Sequence, residues 1–149
     1  MVRDGAGAAG HSPDLPVPGP VDRAFFGPDA RFHHVGLAVE RLPDLVPEEA
    51  ITPNRTEGVR MAFVRVGGAL LELLEPLGER SPIARSLAEG RKLLHVCFEV
   101  GDLESALETC RPEGFHRISP VRAVPEFGGR RIVWVLSREY GLVELIERG

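Results

Sequence analysis

Lysine is nearly missing from this chain: Lys92 is the only one, and arginine carries the rest of the positive charge. Arginine suits planar, bidentate contacts to phosphate or carboxylate, although a coding bias explains the ratio more simply. An excess of positive charge is also lacking. The formal net charge is −4 and the pI about 5.7, so neither nucleic acid nor an anionic membrane is expected as a partner. Cysteine occurs only as Cys97 and Cys110, too few for a disulfide framework, and both are expected to be buried thiols. No apolar run approaches the roughly 18 residues of a spanning helix. Met1 to Gly10 lacks the apolar segment of a signal peptide, and a cytoplasmic protein is expected. At 149 residues the chain has the size of one domain, burying about two-thirds of its unfolded surface, or of two fused half-domains.

What is present begins unevenly. Residues 1–30 are rich in Gly, Ala and Pro, with Pro13, Pro16, Pro18 and Pro20 spaced against both helix and sheet, so a flexible arm is expected ahead of a domain over 31–149. Phe25 and Phe26 are the exception, an aromatic pair that should pack on the domain's own edge or on a partner subunit.

Beyond the arm the chain repeats itself. His34-Val35-Gly36-Leu37-Ala38-Val39 is echoed by His95-Val96-Cys97-Phe98-Glu99-Val100, and Leu71-Glu72-Leu73-Leu74-Glu75 by Val143-Glu144-Leu145-Ile146-Glu147. Between these, Gly58 to Val64 matches Gly129 to Val135, with Phe63 and Trp134 at the same place. Each half reads as a strand, a crossover and two or three strands, which makes the expected fold α+β: two βαβββ modules, about 32–77 and 93–148, forming a cupped, partly open mixed sheet. Pro43, Pro47 and Pro53 shorten or remove the first module's helix. Gly67-Gly68 marks a hairpin between Val59–Val66 and Ala69–Glu75. A linker helix is expected over 81–89, with Ser81 as its N-cap and Pro82 in its first position. The second module's helix should start at Asp102, as N-cap, and run over Leu103–Cys110. His116 to Val124 reads as one strand.

The duplication delivers one histidine and one glutamate per half, in the order His, Glu, His, Glu. A glutamate inside Leu70–Leu74 and another inside Leu142–Ile146 would bury charge at a cost of several kcal/mol unless it is neutralised. One divalent metal ion would neutralise it, and the mixed N and O donors of His34, Glu72, His95 and Glu144 suit Zn, Co, Ni, Fe or Mn better than Ca or Mg. A register error of one residue would instead turn Glu75 and Glu147 inward. Met61, Phe63, Ile132 and Trp134 should form apolar walls, with Cys97 on the same face as His95. Glu99 is expected beside the metal or at the strand's exit. His33, His116 and His11 lack a counterpart in the other half and are read as ordinary histidines.

These segments, together with the run Glu72-Leu73-Leu74-Glu75-Pro76-Leu77 and then Ser81-Pro82-Ile83-Ala84, resemble the methylmalonyl-CoA epimerase branch of the vicinal oxygen chelate superfamily over about residues 32–147. The resemblance implies a cupped metal site with ligands at His34, Glu72, His95 and Glu144, a small-molecule substrate such as an acyl-CoA, enolate chemistry and a homodimer. The position of the epimerases' glutamate base falls on Met61, and Phe127-Gly128-Gly129 replaces a more polar turn. In the glyoxalase I branch, which resembles this chain in ligand order, a ligand glutamate serves as base; Glu144 and Glu72 are the catalytic candidates here, with Glu99 third. The expected activity is a metal-dependent isomerase or epimerase; the alternatives are a glyoxalase-like lyase on a 2-oxoaldehyde adduct and a small-molecule binding protein.

Overall fold

The computed structural model describes residues 19–149. Among the described residues nine strands form one mixed sheet in the order β2-β3-β4-β1-β5-β9-β8-β6, with β7 also paired to β8. The first module contributes β1 (Arg31–Ala38), β2 (Thr52–Asn54), β3 (Val59–Val66) and β4 (Ala69–Pro76). The second contributes β5 (Leu93–Val100), α2 (Leu103–Cys110), β6 (Phe115–Arg117), β7 (Arg122–Val124), β8 (Arg130–Ser137) and β9 (Gly141–Glu147), and α1 (Ala84–Ala88) lies between the modules. Each module runs its first strand parallel to its last, β1 with β4 and β5 with β9, and the modules meet where β1 and β5 pair antiparallel. The paired βαβββ plan is therefore present. In the first module the helix is reduced to two 3-10 turns, Leu42–Asp44 and Glu48–Ala50, as its prolines require.

Side-chain alternation sorts the sheet into two faces. Val133, Val135, Val143 and Leu145 pack outward against Leu103, Ala106 and Cys110 of α2. Leu73 and Ala62 do the same beneath Leu42 in the first module. On the inner face lie Met61 and Leu74 from one module and Cys97, Ile132 and Ile146 from the other. Glu75 and Glu147 belong to the outer face and perform matching jobs. Glu75 accepts the N–H of Leu42 at 2.6 Å and holds Arg60, while Glu147 accepts the N–H of Leu103 at 3.2 Å and holds Arg131. Each ties the start of its crossover to the last strand of its module.

Two elements differ from expectation. α1 begins at Ala84, and Ser81 does not cap it with its side chain: the Ser81 carbonyl accepts the N–H of Ala84 in a preceding turn, and the helix N-cap is Ile83. The run from His116 to Val124 is two three-residue strands, because Ser119-Pro120 breaks it and the Ser119 hydroxyl takes the N–H of Trp134. Phe26 is buried against Phe98 and Phe115, and Phe25 packs on Phe115 and Tyr140, so the aromatic pair rests on the chain's own second module. Of the arm expected over residues 1–30, residues 1–18 lie outside the described residues.

Candidate metal centre

The register of the central strands gathers the four donors. Gly36 on β1 lies between Glu72 on β4 and His95 on β5, while Cys97 on β5 lies between His34 on β1 and Glu144 on β9. His34, Glu72, His95 and Glu144 are all buried, at 0, 3, 5 and 3 % exposure, and such polar burial demands partners. His34 Nε2 and His95 Nε2 stand 3.1 and 3.3 Å from the same Glu72 oxygen, and 3.2 Å from each other. Donor atoms of His34, His95 and Glu144 also lie within 4.8 Å of one another. Adjacent ligands on an ion with bonds of about 2.1 Å are separated by about 3.0 Å at right angles and about 3.4 Å at tetrahedral angles. The spacing of the His34, Glu72 and His95 donors thus fits a divalent transition ion, which these three and Glu144 would hold.

The two carboxylates are not alike. Burial alone would raise Glu72, but hydrogen bonds from His34 and His95 outweigh it and bring its pKa down to about 2. Glu144 has no such partner. Burial first, and then the charge of Glu72, push it up to about 8, and its neighbour is the Cys97 thiol, 3.4 Å away. Burial and the nearby Glu144 raise Cys97 well above the usual thiol range. Without an ion, the one site thus lowers the pKa of Glu72 and raises that of Glu144.

A cavity of about 460 Å³ opens over this floor, lined by Glu72, His95 and Glu144 and walled by Met61, Phe127, Ile132 and Trp134. Trp134 sets its ring edge-to-face on His95, with centroids 4.8 Å apart. Phe63, expected in the wall, and Cys97 and Glu99, expected nearer the metal, do not line this cavity. Phe63 stands edge-on over His34, 37 % exposed, and Cys97 is sealed behind Glu144. Glu99 is drawn off by Arg130 at 2.6 Å and Arg148 at 3.0 Å; burial raises its pKa, but these two partners outweigh that and lower it.

Other residues of the site carry no signal in the sequence. A Cβ on Gly36 would fall 2.1 Å from His95 Cε1, so only glycine lets that ring cross β1 to reach Glu72. Glu57, in the turn before β3, lines the cavity and pairs with Arg122 of β7, joining the two modules across its wall. His33, read as ordinary, has its Nδ1 2.8 Å from His34 Nδ1. Contacts between segments far apart in sequence bring Gly36 to His95 and Glu57 to Arg122.

Comparison with known proteins bears on the whole arrangement. The model of the Glyoxalase/Bleomycin resistance protein/Dioxygenase superfamily matches residues 33–134. The mitochondrial methylmalonyl-CoA epimerase of Bos taurus is 33 % identical over 131 residues, covering 77 % of this chain and 73 % of its own. The ethylmalonyl-CoA/methylmalonyl-CoA epimerase of Cereibacter sphaeroides is 29 % identical over 133 residues, covering 77 % and 96 %. The crystal structure of methylmalonyl-CoA epimerase from Mycobacterium tuberculosis superposes with a TM-score of 0.66 at 24 % identity, over 79 % of this chain and 87 % of that one, a likeness of fold.

Proposed function

The chain belongs to the glyoxalase/bleomycin resistance protein/dioxygenase superfamily, and from that membership we propose that it is a metal-dependent isomerase of the epimerase type, acting through the enolate of an acyl-CoA or related carbonyl substrate. The observation that carries this reading is the buried cluster of His34, Glu72, His95 and Glu144 on the floor of a cavity with apolar walls. His34, Glu72, His95 and Glu144 would hold a divalent ion, which would supply Lewis-acid stabilisation of the enolate oxygen. The rest is the work of the side chains. Glu72, fixed between two imidazoles, stays ionised and in place. Glu144 in its carboxylate form takes the proton from the carbon next to the carbonyl, and return of that proton to the opposite face of the planar enolate inverts the carbon. Met61, Ile132 and Trp134 exclude water and hold the apolar part of the substrate. One chain carries all four donors.

A second reading rests on Met61. Where a base would be expected on β3 this chain has an apolar side chain, which leaves the proton transfer to Glu144 and favours a glyoxalase-like lyase on a 2-oxoaldehyde adduct. Solvent deuterium exchange separates the two. Metal-loaded protein should wash deuterium into methylmalonyl-CoA, and Glu144→Gln should abolish the wash-in. Absence of exchange, with turnover of a 2-oxoaldehyde thiol adduct, selects the lyase instead.

A further inference from the structure

His33 and His34 are neighbours in a strand, and strand alternation would send their side chains to opposite faces. The ladder between β1 and β5 breaks at this point: Phe32 pairs with Phe98 and His34 with Cys97, so His33 is one extra residue opposite no partner. That is a β-bulge, a device that re-aims a side chain. Its effect is to set the two rings at 75°, with their Nδ1 atoms 2.8 Å apart. Among the described residues no other side chain hydrogen-bonds His34 Nδ1.

We propose that His33 is the positioning residue of the centre, its Nδ1 accepting the Nδ1–H of His34 and thereby presenting the bare Nε2 of His34 to an ion shared with Glu72 and His95. This rests on the metal reading above. An imidazole that ligates through one nitrogen is oriented by the acceptor its other nitrogen finds, and here that acceptor is the adjacent residue. Protons balance in both states. Without an ion, His33 Nδ1–H donates to His34 Nδ1, and His34 Nε2–H donates to Glu72. With an ion, His34 carries its proton on Nδ1 and His33 carries its own on Nε2, so each ring keeps one proton and the bond between them reverses.

Asn places an oxygen where His has Nδ1, and Leu places a methyl there, so His33→Asn and His33→Leu separate the acceptor from the shape. Zinc affinity is measured by chelator competition, with metal-free unfolding of each variant as the control for folding. His33→Leu should bind zinc about 10- to 100-fold more weakly, while His33→Asn stays within about threefold of the parent. In the zinc-loaded parent, nitrogen-15 correlation spectra should show the His34 proton on Nδ1. Equal affinity of His33→Leu and parent, equal weakness of the Asn and Leu variants, or a His34 proton on Nε2 in the loaded parent each overturns the role of His33 alone. A parent that binds no zinc removes the metal reading together with it.

Discussion

The two modules place the same residues in the same strands and yet treat them differently. In the first, the position two residues after the histidine is Gly36, beside Glu72; in the second it is Cys97, beside Glu144. The empty side of Gly36 admits the His95 ring, so that Glu72 receives both imidazoles. The equivalent place in the second module is filled by a thiol, and Glu144 receives that instead. The missing Cβ of Gly36 thus lets two imidazoles clamp Glu72, while burial and the charge of Glu72 raise the pKa of Glu144. Duplication supplies four donors, and a departure from duplication gives two of them different chemistry.

The comparison is most directly broken at Gly36. Gly36→Ala should expel the His95 ring, lowering metal affinity about 100-fold or more and stability by about 1–3 kcal/mol, read by chelator competition and denaturant unfolding. Retention of parental affinity would show that the ring does not depend on that space. Next comes the unequal loss of the carboxylates. In metal-free protein at pH 7, Glu72→Gln should cost about 3 kcal/mol, because it breaks a buried, hydrogen-bonded charge. Glu144→Gln replaces a protonated acid by a near isostere and should cost less than about 1 kcal/mol. Equal costs would erase the distinction between the modules.

The same asymmetry sets opposite pH responses. The pKa of Glu144 is raised in the fold from 4.5 to about 8, so its contribution to stability is complete below about pH 4.5 and is lost as pH rises through 8. That of Glu72 is lowered to about 2, so its contribution is present above about pH 4.5 and lost as pH falls toward 2. Thermal melts of metal-free protein should therefore decline from pH 5 to 8 by no more than about 1.4 kcal/mol per unit, and Glu144→Gln should flatten that decline. Metal binding, which needs the ionised carboxylate, should tighten over the same interval. The smallest effect is expected from Cys97→Ala. It removes a hydrogen bond that draws Glu144 down, and it should raise the Glu144 pKa slightly at a stability cost of about 1 kcal/mol.

Much of this centre is readable in the chain itself, because duplication writes it twice. The His and Glu echoes, the glycine hairpin at Gly67-Gly68 and the Asp102 cap are local patterns, and the Asp102 carboxylate does accept the N–H of Glu104 at 3.3 Å. The inward phase of Glu72 and Glu144 follows from alternation once Leu73 and Leu145 are assigned to the outer core. Ser81 shows the limit of local pattern: its Ser-Pro sequence has the chemistry of a cap, but the chain makes a turn before the helix begins. Gly36, the Glu57–Arg122 pair and the bulge at His33 are illegible for another reason. Each depends on which residue lies opposite on a strand tens of positions away, and no spacing along the chain encodes that.

The seam between β1 and β5 has a kinetic meaning as well. His34 stands on one side of it and His95 on the other, with a carboxylate strand behind each. Two irregularities interrupt this ladder, at His33 and after Gly36, and a ladder with missed pairings opens more readily than an unbroken one. An ion held there would act as a rivet through a joint that breathes. Its escape would then keep time with amide exchange along β1 and β5, linking the residence of the metal to the opening of a single pair of strands.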